Sequence, residues 1–382
     1  MIYLKEEHEL IRQTVREFAL KEVEPGELER DEKEEFPVDL IAKMRELGLL
    51  GIPFPEEYGG AGLDNLSYVI AVEELARISG SLALTLAAHV SLGTSPIYEF
   101  GTEEQRRKYV PRLASGEMLG SFGLTEPNAG SDAQGTQTAA VRDGDSWVIN
   151  GQKIYVTNGG YAGSIIFTAV TQHEPRQISA FIVDAGTPGL VLGKKEVKLG
   201  CRSSDTRVLH FEDCRIPAEN LVGGPSELGK GFKFFMKTLD GGRISIGAMA
   251  LGIAQGAIDK AVPFVKERKQ FGKPVGAFQG VSHRIADMET EVQAARHMIY
   301  HSAWLKDQHR PLEHHSAMAK LFASEVAMRA TFSAIQVLGA CGYMKEYHVE
   351  RYMRDAKLCE IGEGTSEIQR LVISRQLLGR LD

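Results

Sequence analysis

The chain has 382 residues, which is long for one domain and predicts two or three. Its apolar fraction of 43% and charged fraction of 25% are those of a globular protein, which excludes a disordered or fibrous chain. The net charge of −7, together with the lack of a basic stripe, argues against a nucleic-acid partner.

The cysteine content and the apolar stretches indicate the compartment. Four cysteines are present without a CxxC pair, namely Cys201, Cys214, Cys341 and Cys359, and they fit a reducing compartment better than a disulfide framework. The first residues, MIYLKEEHEL, are charged almost at once, so we expect no signal peptide. The most apolar stretch, LALTLAAHVSLG, is interrupted by His89 and is too short to span a bilayer. We therefore expect a cytoplasmic protein without a membrane span.

Residues 1–120 are predicted to form an N-terminal α-helical domain. In EEHELIRQTVREFALKEV, apolar residues recur at three- and four-residue spacing on one helix face: Leu10, Ile11, Val15, Phe18 and Ala19. FPVDLIAKMRELGLLG ends in glycine, as the C-terminus of a helix commonly does.

Residues 121–229 are predicted to form a central antiparallel β-domain. Short β-prone runs alternate there with turn signals: WVIN, KIYVT, SIIFTAV, ISAFIVD, GLVLG and RVLHF. Asp143-Gly144 and Asn150-Gly151 are both predicted to be hairpin turns, because a type I′ turn needs positive φ at its two central residues.

Residues 230–382 are predicted to form a C-terminal α-helical bundle domain. One buried seam would contain Ile285, Met288, Val292, Ala295 and Ile299. A second seam would contain Met318, Leu321, Met328, Phe332 and Ile335. The order of helices, sheet and helices predicts an α+β fold.

Several patterns resemble functional motifs but lack an essential residue. GPSELGKG is close to a phosphate-binding P-loop, but Gly231 replaces the Ser or Thr that would hold magnesium. His297 and His301 have metal-ligand spacing, but Met298 stands where a zinc protease needs glutamate, so we expect surface histidines and no metal site. The chain has no GxGxxG and no GxSxG, which weakens nicotinamide-binding and serine-hydrolase interpretations.

Two stretches could contact an anion or an aromatic ligand. In LGSFGLTEPNAGSDAQG, residues 119–135, glycines and hydroxyls leave backbone N–H groups accessible, although a Gly-rich linker is the alternative. In FVKERKQFGKPVGAFQG, residues 264–280, Arg268 can bind a phosphate and Phe271 offers a flat apolar face. Taken alone, the second stretch is better interpreted as a charged helix end.

A third stretch, TLDGGRISIGAMALGIAQGAID, covers residues 238–259. Gly241-Gly242 are expected to precede a long helix of small residues, a shape that admits close approach by a ligand or another helix. Asp240 and Arg243 flank the start of that helix.

The stretch CEIGEGTSEIQR, residues 359–370, contains three glutamates with different expected roles. Ser366 is predicted to be the N-cap of a helix, with Gln369 as its capping-box partner. Glu367 then lies in the first helical turn, where the helix dipole stabilises a negative charge. Glu360 is expected to be solvated or to pair with a nearby basic residue, for which Arg351, Arg354 and Lys357 are available.

The third glutamate, Glu363, lies between Gly362 and Gly364 in the predicted loop. The two glycines would let a ligand approach its carboxylate. Glu363 is therefore the candidate catalytic base.

These motifs together resemble those of the acyl-CoA dehydrogenases over essentially the whole chain, most closely the short-chain and branched-chain members. GLTEPNAGSDAQG (123–135) is similar to one family signature. QVLGACGYMKEYHVERYMRD (336–355) resembles the second, with Ala340 where Gly or Ser is usual. The resemblance implies an N-terminal helical domain, a central β-domain and a C-terminal four-helix bundle. It also implies FAD as the cofactor and a homotetramer with each flavin at a subunit interface.

The resemblance also implies site residues. Contacts to FAD would come from Phe122, Leu124, Thr125, Gly130, Ser131, Tyr155 and Thr157, and Thr365 and Glu367 would complete the site. Contacts to the FAD of a neighbouring subunit would come from Arg268, Phe271, Gln279, Gln336, Gly339 and Ala340. The substrate would be bound by Ser131, Asp240, Arg243, Gly362 and Gly364.

The mechanism implied by the resemblance removes the α-proton of an acyl-CoA to Glu363 while the β-hydrogen leaves as hydride to flavin N5. Electrons then pass to an electron-transfer flavoprotein. Some relatives carry the base at the position of Gly242, which cannot serve here. Two alternatives remain: an O₂-reactive sibling flavoprotein, such as an oxidase of acyl-CoA or nitroalkanes, and an acyl-CoA-binding protein without catalysis.

The acyl group is less defined by the resemblance. Many straight-chain members have tyrosine before the catalytic glutamate, whereas this chain has Gly362, which would leave room for a branched acyl chain. Met249 and Cys359 match positions near the far end of the pocket and suggest a short to medium chain. The pathway stays open between fatty acid β-oxidation and branched-chain amino acid catabolism.

Overall fold

The computed structural model describes residues 4–379. The helices of the N-terminal part are α1 (Glu6–Phe18), α2 (Glu27–Lys33), α3 (Val38–Glu46), α4 (Asn65–Ala76), α5 (Gly80–Ala87), α6 (Ser95–Phe100) and α7 (Glu103–Ala114). A π-helical segment, Ala88–Thr94, joins α5 to α6. Such segments are frequent at functional sites, and this one reaches the candidate active site.

The middle of the chain forms one sheet. Its strands are β1 (Leu119–Gly123), β2 (Ala139–Asp143), β3 (Ser146–Thr157), β4 (Ala162–Gln172), β5 (Gln177–Asp184), β6 (Leu190–Lys195) and β7 (Thr206–Pro217). The strand order is β1-β4-β2-β3-β7-β6, and β5 also pairs with β4. Most pairs are antiparallel, as expected, but β1 runs parallel to β4 and β2 makes a short parallel contact with β4. The chain between β1 and β4 is long enough for a crossover, which a parallel pair requires.

Only one of the two predicted hairpin turns joins two strands. Asp143 pairs with Ser146, so Gly144 and the residue after it form the β2–β3 turn. Asn150-Gly151 lies inside β3 instead, at a register shift opposite β7 that marks a bulge. A Cβ at Gly151, which has φ of +141°, would lie 2.7 Å from the Thr138 backbone. The glycine therefore serves close strand packing rather than a turn.

The C-terminal part is helical again. Its elements are α8 (Gly231–Glu267), the hairpin strands β8 (Lys269–Gln270) and β9 (Lys273–Pro274), α9 (Gln279–Asp307), α10 (Glu313–Leu338), α11 (Ala340–Tyr343), α12 (Val349–Ile361) and α13 (Ser366–Leu378). Helices α8, α9, α10 and α12 pack against one another and form the expected four-helix bundle, and α13 packs on α10.

The two predicted seams of this bundle have different outcomes. On α9, Met288, Val292, Ala295 and Ile299 are buried as predicted, whereas Ile285 is only half-buried. On α10 none of the predicted residues is fully buried: four are half-buried and Phe332 is 59% exposed, while the buried residues are mostly small, with Lys320 among them. Alanine and serine allow α10 to lie close to α8, and the larger side chains point away from that contact.

Hydrophobic packing divides the described chain into two cores. The N-terminal helices and the C-terminal bundle share one continuous core. The sheet has a second core, whose fully buried members include Ile149, Phe167, Phe181 and Leu209. The division into three domains stays a prediction; its first boundary, after residue 120, lies inside β1, and its second, after residue 229, directly precedes α8.

His89 connects the π-helical segment to the sheet. Its Nδ1 accepts a hydrogen bond from the Gly120 N–H at 2.9 Å, and its Nε2 donates to the Leu113 carbonyl at 3.1 Å. Burial lowers the pKa of His89 to about 4, so the ring is neutral and both nitrogens are used. His89, the polar residue within the apolar stretch, therefore has a structural role: its hydrogen bonds hold β1 against the N-terminal helices.

Helix α8 is long and apolar enough to cross a membrane by length and composition, and 67% of its most apolar window is buried inside the protein. It is a different segment from residues 82–93, which we expected to be the most apolar. A helix surrounded by other helices on most of its sides needs apolar residues all round, and this accounts for its composition.

Candidate active site

Glu363 lies on the short loop between α12 and α13. Its backbone has φ of +56°, and the next residue, Gly364, has φ of +93°. Thr365 then begins α13 as the N-cap, because its side chain accepts a hydrogen bond from the Ile368 N–H. The prediction that Ser366 is the N-cap is wrong by one residue. A non-glycine residue with positive φ is strained and is often found at functional sites.

The carboxylate of Glu363 packs against α8 at Gly242. A Cβ at Gly242 would lie 2.0 Å from the Glu363 Oε2 atom, so only glycine fits. Gly241 and Gly242 lie inside α8 and not before it, which corrects the predicted helix start. Oε2 is buried and has no hydrogen-bond partner among residues 4–379. A buried polar atom without a partner costs stability and indicates a place where a ligand binds or reacts.

Burial raises the pKa of Glu363 to about 7, and the positive charges of Lys320 and Arg243 oppose that rise. Arg243 is itself paired, since its Nη1 lies 2.6 Å from Asp240 Oδ1. Burial also raises the pKa of Asp240 to about 6. The base candidate therefore lies in a poorly solvated region with two cations nearby.

The other two glutamates of this stretch have the structural roles that we expected. Glu360 pairs with Lys357 at 2.6 Å, one of the three basic residues considered. Glu367 lies in the first turn of α13, and hydrogen bonds from its own backbone N–H and from Thr365 hold its pKa below the usual value. Gln369 does not complete a capping box; its side chain donates to the carbonyls of Glu363 and Gly364.

A cavity of about 860 Å³ lies between the N-terminal helices, α8 and the α9–α10 connection. Its wall carries the carboxylates of Glu99, Asp240 and Glu313 together with several basic or imidazole side chains: Lys237, Lys306, His309, Arg310, His314 and His315. Gly241 also lines the cavity, and it directly precedes Gly242, the position that the Glu363 carboxylate contacts. The volume is that of a site for a small molecule. Asp240 lies in this wall, and Arg243 is buried behind it.

The loop after β1 is held by a buried ion pair that the sequence did not reveal. Lys153 Nζ lies 2.6 Å from Glu126 Oε1, and both side chains are buried. Glu126 also accepts hydrogen bonds from the N–H groups of Gln137 and Thr138 and from the Thr136 hydroxyl. These contacts close the loop onto itself and leave Gly130 and Ser131 exposed at its tip.

An exposed tyrosine lies beside this loop. Tyr155 has φ of +57° and is 65% exposed, because a register shift between β3 and β7 makes it part of a bulge. Thr157, at the end of β3, and Thr125, in the loop after β1, are half-buried, and Phe122 stacks on Phe235 at 4.2 Å. The aromatic side chain, hydroxyls and open backbone fit the flat ring and polar edge of a flavin.

The residues expected to reach the FAD of a neighbouring subunit form a separate group at the ends of α8, α9 and α10. All of them are exposed: Arg268, Phe271, Gln279, Gln336, Gly339 and Ala340. Phe271 is 93% exposed and has φ of +51°. Their role, and those of Leu124, Gly130, Ser131, Thr365 and Glu367 toward FAD, stay predictions.

Sequence reasoning missed Lys320 altogether, and it gave Gln369 a capping role instead of its contact with the Glu363 loop. Lys320 on α10 is fully buried, and its Nζ donates to the Gly364 carbonyl at 2.8 Å. Gln369 on α13 is fully buried and contacts the same carbonyl. Lys320 shares three- and four-residue spacing with Ala317, Ala323 and Ser324, so small-residue periodicity on α10 would have placed it on the buried face.

The chain is similar to known proteins along nearly its whole length. Family models described as acyl-CoA dehydrogenase N-terminal, middle and C-terminal domains match residues 5–117, 121–214 and 229–378. The protein named "Acyl-CoA dehydrogenase, short-chain specific" from Clostridium acetobutylicum is 52% identical over 98% of both chains.

Solved structures are similar along the full length as well. A structure described as "Electron transferring flavoprotein of Acidaminococcus fermentans: Towards a mechanism of flavin-based electron bifurcation" has a chain with a TM-score of 0.97 and 48% identity, covering 100% of both chains. The structure of butyryl-CoA dehydrogenase from Megasphaera elsdenii has a TM-score of 0.96 and 46% sequence identity, and the match covers 98% of this chain and 99% of that one. The structure of an acyl-CoA dehydrogenase from Bacillus anthracis, complexed with FAD, has a TM-score of 0.92 and 36% sequence identity, and the match covers 98% of this chain and 68% of that one.

Proposed function

The chain belongs to the acyl-CoA dehydrogenase family, and from that premise we propose that it oxidises a short- to medium-chain or branched acyl-CoA to the trans-2-enoyl-CoA with FAD. The observation that carries the proposal is the buried, unpartnered Oε2 atom of Glu363 opposite Gly242. An electron-transfer flavoprotein is the proposed electron acceptor, as the description of the similar Acidaminococcus structure suggests.

Glu363 takes the α-proton of the thioester in this proposal. An α-proton of this kind is too weakly acidic for a carboxylate in water, and burial makes the Glu363 carboxylate a stronger base. The Glu363 backbone N–H donates to the thioester oxygen and stabilises the negative charge that builds there as the proton leaves. FAD, bound beside Thr125, Tyr155 and Thr157, supplies the acceptor for the β-hydrogen as hydride.

The cavity beside the loop is the proposed site of the CoA moiety. CoA carries phosphate groups, and the basic side chains of Lys237, Lys306 and Arg310 can neutralise them. Gly241 lines the cavity and directly precedes Gly242, the α8 position that the Glu363 carboxylate contacts, so in this proposal the thioester lies beyond Gly241 next to Glu363. Asp240 and Arg243 bind the pantetheine portion in this proposal.

The exposed ends of α8 and α10 support a homotetramer in the same proposal. Phe271 is 93% exposed in the isolated chain, and in this proposal a neighbouring subunit covers it. Arg268, Gln279 and Gln336 would then reach the FAD of that subunit.

The proposed function is tested by anaerobic mixing of the FAD-loaded protein with a panel of acyl-CoAs. We expect loss of flavin absorbance with butyryl-, hexanoyl- or a methyl-branched short acyl-CoA. No loss with any member of the panel would favour an acyl-CoA-binding protein without catalysis. Rapid oxygen consumption during turnover would favour an O₂-reactive sibling flavoprotein instead.

The rate of flavin reduction is expected to rise with pH through a midpoint near 7, because Glu363 must be ionised to accept a proton and burial raises its pKa to about 7. Stopped-flow reduction between pH 5.5 and 9 measures the midpoint. A midpoint near the ordinary glutamate value would contradict the prediction.

The stability of the fold has the opposite pH trend. Between pH 4.5 and 7 the folded state binds more protons at Glu363 than the unfolded chain does, so the contribution of Glu363 to stability falls as pH rises.

Replacing Gly362 by tyrosine is expected to reduce kcat/KM for branched substrates about tenfold or more relative to straight ones, because the ring fills space beside Cα and Cβ of the acyl group. A Cβ at Gly362 meets only Leu358, at 3.4 Å or more, so the backbone there accepts a side chain. Steady-state kinetics with isobutyryl- and butyryl-CoA measure the ratio. Gly362→Ala is the control, and an equal change in both variants would exclude the ring as the cause.

A further inference from the structure

Lys320 is a fully buried lysine next to the catalytic loop. Its Nζ donates a hydrogen bond to the Gly364 carbonyl at 2.8 Å, so the partner of its ammonium group there is an uncharged atom. Burying a charged lysine costs free energy of folding unless its charge is paired and hydrogen-bonded. Its surroundings lower the pKa of Lys320 to about 8, chiefly through burial, which Cys359 and Glu363 partly oppose.

The same loop is held by a second buried side chain. The amide of Gln369 donates to the Gly364 carbonyl at 2.8 Å and to the Glu363 carbonyl at 3.2 Å. Lys320 approaches from α10 and Gln369 from α13, so two helices restrain two successive peptide groups. Glu363 has positive φ, a conformation that is strained for a non-glycine residue and relaxes unless its surroundings maintain it.

Charged and titratable groups on four helices interact with Glu363. Lys320 on α10 and Arg243 on α8 oppose the rise in its pKa, and the Glu363 carboxylate in turn raises the pKa of Cys359 on α12 and of Tyr68 on α4. Arg243 is paired with Asp240 at 2.6 Å, which offsets part of its charge. Lys320 binds a neutral carbonyl, so its positive charge acts on the Glu363 carboxylate with less compensation.

We propose that Lys320 is a positioning residue for the catalytic base, and this proposal rests on the function proposed above. By donating to the Gly364 carbonyl it holds the Glu363 peptide in the strained conformation that directs the carboxylate toward Gly242. Its charge also keeps the carboxylate ionised in a region that would otherwise neutralise it. Gln369 supplies the geometric restraint alone, without charge.

Lys320→Met is the central test, since methionine is of similar length and carries no charge. We expect flavin reduction at saturating butyryl-CoA to slow about tenfold or more, since a misplaced base loses much of its effect. We expect the pH midpoint of reduction to rise by about one unit, because an opposing positive charge is lost. Lys357→Met is the matched control, since Lys357 is half-exposed and pairs with Glu360 rather than the loop. Its midpoint should stay at the wild-type value.

Gln369→Met separates geometry from charge. We expect slower reduction in this variant with the pH midpoint unchanged. Amide hydrogen exchange of residues 362–365, measured in the FAD-loaded protein without substrate, should accelerate in both the Lys320 and Gln369 variants. This readout reports the loop and does not depend on activity.

Wild-type behaviour of the Lys320 variants would overturn the proposal. A Lys320→Met protein with the wild-type midpoint and wild-type loop exchange would show that Lys320 has no positioning role. Lys320→Gln is the second variant if methionine prevents folding, and failure of both to fold with FAD would assign Lys320 to stability alone. If wild-type protein is reduced by butyryl-CoA while the variants behave as wild type, only this inference fails. If wild-type protein is not reduced by any acyl-CoA, the proposed function fails first.

Discussion

Replacing Glu363 by glutamine is expected to abolish flavin reduction by acyl-CoA, with a fall in rate on the order of 10⁴, while FAD remains bound. A positioned general base contributes up to about 10⁴-fold, and glutamine cannot accept the α-proton. The buried Oε2 atom has no hydrogen-bond partner among the described residues, so no neighbouring group is in contact with it to accept the proton instead. Anaerobic stopped-flow measurements at pH 8 provide the rate, and the visible flavin spectrum confirms cofactor content.

Glu360→Gln is the matched control for this experiment. Glu360 lies three residues away, is also a carboxylate and pairs with Lys357 at 2.6 Å. The control should keep most of the wild-type reduction rate, because its carboxylate is engaged in an ion pair next to the loop. Undiminished bleaching of the Glu363 variant would refute Glu363 as the base and reopen the search among the carboxylates of the cavity, beginning with Asp240.

Replacing Gly242 by alanine is expected to reduce flavin reduction about 100-fold or more. The added Cβ would lie 2.0 Å from Glu363 Oε2 and 3.0 Å from Leu92 Cδ2, so the carboxylate must move. A displacement of about 1 Å of a catalytic group can cost about 100-fold in rate. Thermal unfolding should show a folded protein, because alanine is preferred to glycine in a helix interior by about 1 kcal/mol and offsets part of the crowding.

Gly241→Ala is the control one position earlier on the same helix. Its Cβ would meet only the end of the Lys306 side chain, at 2.9 Å, and that flexible group can move. At saturating acyl-CoA, where a change at Lys306 in the proposed CoA site no longer limits the rate, we expect this variant to keep a reduction rate within a few-fold of wild type and to gain helix stability. Equal losses in the two variants would indicate a general effect of side chains on this helix rather than contact with the base.

Local sequence patterns were sufficient for the order of elements and for the candidate base. Apolar periodicity predicted the helical ends of the chain, and β-prone runs predicted the sheet between them, because each element must bury one face. The pattern failed on α10, where the five predicted residues are half-buried or exposed and most of the buried residues are small. Periodicity identifies a face, but which of two apolar faces is buried depends on the helix that packs there.

The loop prediction was partly correct for a similar reason. The glycines around Glu363 predicted a loop, and the structure shows one, with positive φ at both Glu363 and Gly364. The Oε2 atom is nevertheless buried, against α8. The N-cap was misassigned to Ser366, since Thr365 and Ser366 are both good caps and only the path of the chain selects one. Asn150-Gly151 was misassigned as a turn because a bulge and a hairpin use the same residue types.

The sequence by itself determined the family, the three-part order of elements and the identity of the carboxylate on the loop. Those properties depend on residues that are close together in the chain or on motifs that can be recognised by their letters. Only the tertiary structure decided what surrounds Glu363. Gly242 lies 121 residues earlier in the numbering, and Lys320 lies 43 residues earlier. Their proximity to the carboxylate arises from helix packing, because burial and charge depend on neighbours in space rather than in sequence.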